Sequence, residues 1–306
     1  MAKLFTVFGA TGQQGGALIK YLLAHPQFST EYTIRGITRD AQKPAAIALK
    51  EQGVEIVEAD LDEPSSLSGA LAGSYAVFAV TNYWEKASAS VEIAQGKAMA
   101  DAAVSAGASL LIWSSLPRTG VGHFDSKATV EDHIRTLPIK SLYYMPGWFM
   151  QNFLVIMKPR KKKEEGPFIM SRPWPNATVD SLVPLVDIED TGKYLEPFLL
   201  DPDKYNQVVF MASTAFYTPR EICQTWSRVT GKTVEFDGTA DWASNEHMSP
   251  EQKKKLTDSN VSSGSNYYGP RGKEGLEWTL AQVGNELTTW DTFVERNEPW
   301  FPEALK

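Results

Sequence analysis

Three glycines near the amino terminus have the spacing of a loop that binds phosphate. Gly9, Gly12 and Gly15 lie between an apolar, β-prone run at residues 4–8 and a segment at 17–24 with helical periodicity. Glycine lets a backbone turn sharply and approach a pyrophosphate, whose charge is then bound by free N–H groups at the start of the following helix. Strand, glycine turn and helix in this order predict a dinucleotide-binding site. The alternative is a glycine-rich turn that holds no ligand.

An arginine follows the second predicted strand, residues 32–38. NAD sites place a carboxylate at this strand end, about 20 residues beyond the glycine turn, to bind the ribose 2′-hydroxyl. Arg39 suits a 2′-phosphate instead, because a guanidinium forms bidentate, charge-assisted hydrogen bonds. We therefore predict NADP(H) as the cofactor, in preference to NAD(H). Two alternatives stay open: a shift of one residue would bring Asp40 to the ribose, or Arg39 is a solvated surface side chain.

Aromatic residues collect at or just after the ends of predicted strands. Together they could form the wall of a pocket for a bulky aromatic or polycyclic molecule, although a buried aromatic residue more often belongs to a hydrophobic core. Thr81, Asn82 and Tyr83 follow the fourth predicted strand and would form the lip of this pocket. The candidate pocket residues are Trp84, Trp113, Trp148, Phe149, Phe153 and Trp174.

The composition disfavours several classes of protein. The chain has 306 residues, of which 42% are hydrophobic, and this is enough for one large core or two smaller ones. No apolar run reaches 18 residues and no signal-peptide cleavage site is present, so we expect no membrane segment. A net charge of −7 disfavours nucleic acid as a partner. Four irregularly spaced histidines and one cysteine predict no metal site. The single cysteine also predicts a reducing compartment, the cytoplasm, with the nucleus as a second location.

Alternating strand and helix signals position these residues. Strands are predicted at 4–8, 32–38, 54–58, 76–80, 110–114 and 141–144, with helices at 17–24, 44–52, 65–71, 89–106 and 127–136. This order predicts an α/β fold with a doubly wound parallel sheet, in which ligands bind beyond the carboxyl ends of the strands.

The pattern changes in the second half of the chain, where strands are shorter and prolines denser. We place a nucleotide-binding domain at 1–155 and a smaller, irregular domain at 156–306. Segments near 184–190 and 208–212 are predicted to return to the first domain, and 260–272 is predicted to be a mobile loop.

Four segments, in order along the chain, resemble the NmrA-like family, an atypical branch of the short-chain dehydrogenase/reductase superfamily. They are residues 9–16, 80–85, 95–97 and 123–131. The likeness extends over nearly the whole chain and is weakest after residue 240. It implies a Rossmann fold with a smaller C-terminal domain on the substrate side and a site for NADP(H) or NAD(H). The family includes the fungal nitrogen-metabolite regulator and a human redox sensor. The resemblance to these two members implies that the protein senses the cofactor rather than catalysing a reaction with it.

The resemblance also implies which residues bind the cofactor. The glycine turn would hold the pyrophosphate, Arg39 the 2′-phosphate and Lys127 the nicotinamide ribose. Asp60 would bind the adenine, unless it caps a helix. The full set is Gly9, Thr11, Gly12, Gln13, Gln14, Gly15, Arg39, Asp60, Leu61, Thr81, Asn82, Tyr83, Ser114 and Lys127.

The chain departs from the superfamily at the catalytic motif. Superfamily enzymes carry Tyr-x-x-x-Lys, whereas this chain has His123 in the tyrosine position, four residues before Lys127. Histidine titrates near neutrality and can donate a proton, and the lysine charge would lower its pKa. Tyr83 is the second candidate donor. Alternatively, His123 is not catalytic because the protein binds a cofactor without turning it over.

Two classes of function follow. The first is an NADPH-dependent reductase or cofactor-assisted tailoring enzyme that acts on a bulky small molecule of secondary metabolism. The second is a redox sensor whose nucleotide binding controls a transcription factor or another protein partner. The aromatic strand ends favour the enzyme, and the histidine at position 123 favours the sensor. We expect the enzyme.

Overall fold

A computed structural model describes residues 2–161, 163, 165–172, 177–241 and 267–301. These residues form thirteen strands. In chain order they are β1 Lys3–Val7, β2 Tyr32–Thr38, β3 Glu55–Glu58, β4 Ser74–Ala79, β5 Leu110–Ser114, β6 Lys140–Pro146, β7 Trp148–Phe149, β8 Arg160–Lys161, β9 Phe168–Arg172, β10 Val183–Val186, β11 Val208–Ala212, β12 Ala215–Tyr217 and β13 Val234–Asp241.

The same residues form eleven α-helices, most of which connect or cover strands of the main sheet. In chain order they are α1 Gln13–Ala24, α2 Phe28–Glu31, α3 Pro44–Glu51, α4 Leu67–Leu71, α5 Tyr83–Lys86, α6 Ala89–Ser105, α7 Gly122–Ile134, α8 Thr191–Leu200, α9 Pro219–Thr230, α10 Gly272–Gln282 and α11 Trp290–Arg296.

Seven strands form one parallel sheet in the order β11-β6-β5-β4-β1-β2-β3. The chain builds outward from β1 to β3 on one side and from β4 to β6 and β11 on the other. The strands are all parallel, but the side on which successive strands are added changes between β1 and β4. At such a switch point, open α/β sheets bind ligands beyond the strand ends. The predicted Rossmann doubly wound sheet is confirmed.

Two hydrophobic clusters cover the two faces of this sheet. On one face, Leu18 and Leu22 of α1 pack with Tyr194 and Phe198 of α8. On the other face, helices α4, α6 and α7 contribute residues such as Met99 and Val130. Burial on both faces explains the nearly continuous apolar runs in the strands, which parallel sheets require.

Helices α6 and α7 approach each other closely because α6 carries a glycine. A Cβ at Gly96 would lie 2.6 Å from a methyl carbon of Val130 and 3.0 Å from the Trp113 ring. A helix-interior glycine costs stability relative to alanine, and here it permits the close packing. The contact brings the two helices that carry the site's charged residues side by side.

The second half of the chain forms two smaller sheets, β12-β10-β7 and β13-β9-β8. A third core there contains Phe153, Trp226, Trp290 and Trp300. The segment at 208–212 joins the main sheet beside β6, whereas 184–188 contributes β10 to a separate sheet and does not enter the main one.

Two features of the secondary structure differ from the sequence prediction. Helix α7 begins at Gly122 rather than near Lys127, and the Asp125 carboxylate accepts the N–H groups of Thr119 and Gly120 at 2.8 and 3.1 Å. The acid thereby ties the loop to the first helical turn. Helices α2, α5, α8, α10 and α11 were not predicted, because their 4 to 11 residues give a hydrophobic period few turns in which to repeat.

No helix in the described ranges is long and apolar enough to span a membrane. Those ranges also hold no group of three or more His, Cys, Asp or Glu residues placed to bind a metal ion.

Candidate functional site

The glycine turn joins β1 to α1 and leaves backbone donors available. Gly9 has a φ of +62°, and Gly12 donates its N–H to the Gly9 carbonyl at 2.8 Å. A Cβ at Gly15 would lie 2.3 Å from that carbonyl oxygen, so only glycine fits there. Within the described chain, no side chain caps α1 and its first turn has no acidic residue. The N–H groups of residues 13–15 can therefore bind an anion.

Gln14 connects this turn to the end of β5. Its Oε1 accepts a hydrogen bond from Ser114 Oγ at 2.8 Å, across the switch point of the sheet. Thr11 and Gln13 are exposed beside it. The structure thus brings these predicted cofactor residues to one edge of the sheet, although they are far apart in the sequence.

Arg39 lies at the end of β2, and its side chain is 52% exposed. Its guanidinium forms an ion pair with Glu85 of α5. The neighbouring Asp40 carboxylate accepts the N–H of Gln42 at 2.8 Å and so forms a local turn. At this strand end, the Arg39 guanidinium therefore pairs with one exposed carboxylate, that of Glu85.

Asp60 and Leu61 follow β3. The Asp60 carboxylate accepts the N–H of Asp62 at 2.9 Å, and its backbone N–H donates to Ser66 Oγ at 3.1 Å. Leu61 is half-buried against the core that contains α6. The carboxylate thus forms a local turn rather than a helix cap, and its remaining lone pairs can still accept a hydrogen bond.

Lys127 is held by a buried carboxylate that the sequence analysis did not identify. Its Nζ lies 2.9 Å from Glu92 Oε1 and donates to Thr81 Oγ1 at 2.8 Å and to the Thr81 carbonyl at 3.2 Å. Thr81 Oγ1 donates to Glu92 Oε1 at 2.6 Å, and Ser126 Oγ donates to Glu92 Oε2. The Glu92 side chain is 1% exposed and that of Lys127 is 12% exposed. Glu92 of α6 and Thr81, which follows β4, therefore fix the lysine of α7.

Trp113 belongs to the core, so its assignment to the pocket is wrong. It is fully buried beneath α7, its Nε1 donates to the Lys127 carbonyl at 3.0 Å, and the Lys127 ammonium lies 5.4 Å from its ring centroid. The residue supports Lys127 from below and does not line a pocket.

His123 lies among aromatic rings. Its ring centroid is 5.5 Å from that of Tyr83, 5.0 Å from Trp84 and 4.8 Å from Phe124. Burial lowers its pKa to about 4, and Lys127 acts in the same direction, whereas the charges of Glu92 and Asp125 oppose the change. At pH 7 the imidazole is therefore neutral.

The low pKa of His123 makes a measurable prediction. An unfolded histidine titrates near pH 6.5, so between about pH 6.5 and 4 the unfolded chain binds a proton that the folded chain does not. This residue therefore stabilises the folded state above pH 6.5, and the contribution is lost as the pH falls to about 4. We expect the NMR signal of the His123 ring, identified by its absence in His123→Phe, to titrate near pH 4. A midpoint above 6 would contradict the described burial.

The other predicted pocket aromatics divide into two groups. Trp84 is 39% exposed, and Trp148 and Phe149 of β7 are half-buried. Phe153 is fully buried and packs 5.3 Å from Trp226 and 4.9 Å from Trp290, so it is a core residue and its assignment to the pocket is wrong. Trp174 lies outside the described residues.

Two tyrosines from the C-terminal part pack beneath these aromatic residues. Tyr267 and Tyr268 are buried next to Phe124 and Met145, beyond the end of β6. The Tyr267 hydroxyl donates to the Pro146 carbonyl at 3.2 Å, and its ring lies 5.4 Å from Phe124. The predicted mobile loop included these positions, but both side chains pack against the main sheet. Residues 260–266 of that loop lie outside the described residues.

The remaining predicted site residues lie at the start of α5. Asn82 is its exposed N-cap, and Tyr83 is 6% exposed. Glu85 and Glu92 are the charged residues that sequence reasoning missed. The sequence contains only a weak indication of Glu92: it is one acidic residue on a face of α6 that otherwise has small and apolar residues. A single acidic residue also occurs in this pattern at the solvent-exposed edge of a helix.

Comparisons with known proteins agree with this architecture. The model of the NmrA-like family matches residues 1–294. The NmrA-like family domain-containing oxidoreductase ptmS of Penicillium ochrochloron is 30% identical over 263 residues, which cover 76% of this chain and 75% of that protein.

Two solved structures share the fold over nearly their whole length. NmrA, a negative transcriptional regulator in complex with NAD, has a TM-score of 0.81 and 21% identity, covering 99% of this chain and 98% of that one. Triphenylmethane reductase of Citrobacter sp., complexed with NADP(H), has a TM-score of 0.75 and 21% identity, covering 95% and 99%. One neighbour is a regulator and the other an enzyme.

The match to the family model includes all four segments that resemble the family. The segments lie at the strand ends and helices where the site is built, and the match extends well beyond them into the C-terminal part. The chain belongs to the NmrA-like family.

Proposed function

We propose that this protein binds NADP(H), in preference to NAD(H), along the carboxyl ends of the main sheet. The observation that carries the proposal is the available N–H groups of residues 13–15 after β1, together with Arg39 at the end of β2. These groups would hold the pyrophosphate and the 2′-phosphate. A dinucleotide on this edge would extend toward Asp60 and Leu61 at its adenine end and toward Thr81, Asn82, Ser114 and Lys127 at its nicotinamide end.

We further propose that the protein is an atypical oxidoreductase. Bound NADPH would supply a hydride to the substrate. Lys127, held in place by Glu92 and Thr81, would contact the nicotinamide ribose. His123 or Tyr83, whose rings lie 5.5 Å apart, would supply the proton, and since His123 is neutral at pH 7, it would first have to gain a proton itself.

The aromatic side chains favour a bulky aromatic or polycyclic substrate. Trp84 is partly exposed beside His123, the half-buried Trp148 packs against the cluster that contains Phe124 and Tyr267, and Phe149 packs against the core of the main sheet. Several curated relatives carry the name oxidoreductase, which agrees with a small-molecule substrate. We propose a cytoplasmic location, with access to the nucleus, from the cysteine content of the sequence.

Arg39→Ala tests the cofactor assignment. Because Arg39 would bind the 2′-phosphate, we expect the wild type to bind NADP(H) at least tenfold more tightly than NAD(H), about 1.4 kcal/mol. The variant should lose most of this difference while its affinity for NAD(H) stays nearly constant. Calorimetric titration with both nucleotides measures the ratio, and equal affinities in the wild type would contradict the assignment.

A redox sensor is the second candidate function, and the neutral His123 in place of the usual tyrosine favours it. A panel of quinones, carbonyls, imines and triarylmethane compounds, followed by NADPH absorbance at 340 nm, separates the two. Consumption of NADPH supports the enzyme, and His123→Phe and Tyr83→Phe then identify the donor. No consumption, together with a protein partner captured in one cofactor state only, would establish the sensor.

A further inference from the structure

The short helix α5 lies over the end of the main sheet and is held there by two ion pairs. Glu85 pairs with Arg39 after β2, and Lys86 Nζ lies 3.1 Å from Asp62 Oδ2 after β3. Asp62 also accepts a hydrogen bond from Gln95 Nε2 of α6 at 2.7 Å. The helix follows β4, so its charged residues connect the end of β4 with the ends of β2 and β3, across β1.

Arg39 and Glu85 form a pair that a ligand can exchange. Their side chains are 52% and 35% exposed, and an ion pair at this level of exposure is weak because water and salt screen it. A carboxylate and a phosphate use the same donors of a guanidinium. A phosphate group that approaches Arg39 therefore competes directly with Glu85 for those donors.

We propose that Glu85 occupies, in the free protein, the position on Arg39 that the 2′-phosphate of NADP(H) takes, and thereby sets the ratio of affinities for NADP(H) and NAD(H). This inference rests on the proposed function, in which Arg39 binds the 2′-phosphate. NADP(H) must displace Glu85 to reach Arg39, whereas NAD(H) has no phosphate there and leaves the ion pair intact. Glu85 therefore lowers the affinity for NADP(H) alone and makes the protein less selective than Arg39 by itself would make it.

Glu85→Gln tests this role. The variant keeps the shape of the side chain but removes its charge and replaces one acceptor oxygen with an NH2 donor, so Arg39 becomes free to bind the phosphate. We expect the affinity for NADP(H) to rise about two- to fivefold at low ionic strength, the size of an exposed ion pair, and the affinity for NAD(H) to stay unchanged. The gain should shrink as salt is added. Calorimetric titration with both nucleotides gives the two affinities.

Two further variants complete the design. Glu55→Gln is the matched control, because Glu55 of β3 pairs with Arg35 of β2 at 2.9 Å and its loss changes the net charge equally. It should leave the ratio of affinities unchanged. In an Arg39→Ala background, Glu85→Gln should no longer raise the affinity for NADP(H).

The outcomes are distinguishable. Weaker binding of NADP(H) by Glu85→Gln would show that Glu85 orients Arg39 rather than competing for it, and would overturn the inference. Equal gains for both nucleotides, or a gain that persists without Arg39, would also overturn it. If Arg39→Ala alone leaves the ratio unchanged, the assignment of the 2′-phosphate to Arg39 fails and the inference fails with it.

Discussion

Gly12→Val is expected to abolish NADPH binding while the fold survives. The backbone of Gly12 is extended, with φ −92° and ψ 179°, a conformation that valine readily adopts. A Cβ there would approach only the Gly9 carbonyl oxygen closely, at 3.1 Å, and the rest of the side chain would extend over the available N–H groups. The loss of affinity should be at least a hundredfold, about 2.7 kcal/mol, as measured by NADPH fluorescence.

Neighbouring glycines provide the controls. At Gly16 a Cβ would make an ordinary contact at 3.5 Å with the Ala10 carbonyl, so Gly16→Ala should keep its affinity and gain about 0.5–1 kcal/mol of stability. Gly15→Ala is unsuitable, because its clash with the Gly9 carbonyl would disturb the turn itself. Normal circular dichroism with retained NADPH binding in Gly12→Val would place the phosphate site elsewhere.

Lys127→Met should destabilise the protein strongly. The change leaves Glu92, whose side chain is 1% exposed, without its cation. Removal of one partner from a buried ion pair costs about 3–5 kcal/mol, since the remaining charge is neither hydrated nor compensated. Urea denaturation at pH 7 measures the free energy of unfolding. Cofactor binding and turnover of a Lys127 variant must therefore be measured under conditions in which that variant is still folded, before its own urea transition begins.

The companion change Glu92→Gln separates burial from binding. In the Lys127→Met background it removes the uncompensated charge, so most of the lost stability should return, although NADPH affinity should not. Lys20→Met is the exposed control: Lys20 pairs with Glu189, its side chain is 73% exposed, and its loss should cost less than about 1 kcal/mol. A cost below 1 kcal/mol for Lys127→Met would contradict the buried pair.

Most elements of the first half could be predicted because their signals are local. The strands at 32–38 and 110–114 coincide with β2 and β5, and the helix near 89–106 agrees with α6 to within one residue. Period-two and period-3.6 hydrophobic patterns and terminating glycines specify such elements without reference to distant residues. Helix α7 was misplaced by five residues at its start, since Gly122 is a poor helix former and the Asp125 contacts that stabilise this end depend on the fold of the preceding loop.

The aromatic residues show where sequence reasoning fails. Trp84 and Trp113 lie at or just after the ends of predicted strands and Phe153 lies at the start of the C-terminal part, so the pattern left both a pocket wall and a core position open for all three. The structure leaves Trp84 39% exposed, and buries Trp113 beneath α7 and Phe153 in the C-terminal core. An aromatic side chain can form the wall of a pocket or fill a hydrophobic core, and only its neighbours in space determine which of the two it does. Those neighbours are as distant as Trp290.

The sequence by itself determined the glycine turn between β1 and α1, the doubly wound order, the position of Arg39 after a strand and the presence of a helix that carries Lys127. Each of these depends on residue types at short, fixed spacings, where glycine conformation and hydrophobic periodicity act locally. Only the tertiary structure decided the partners of the two cations. Glu92 reaches Lys127 because Gly96 lets α6 and α7 pack closely, and Glu85 reaches Arg39 because β2 and β4 flank β1 in the sheet. Charge pairing acts across space, so it follows helix packing and strand order rather than separation along the chain.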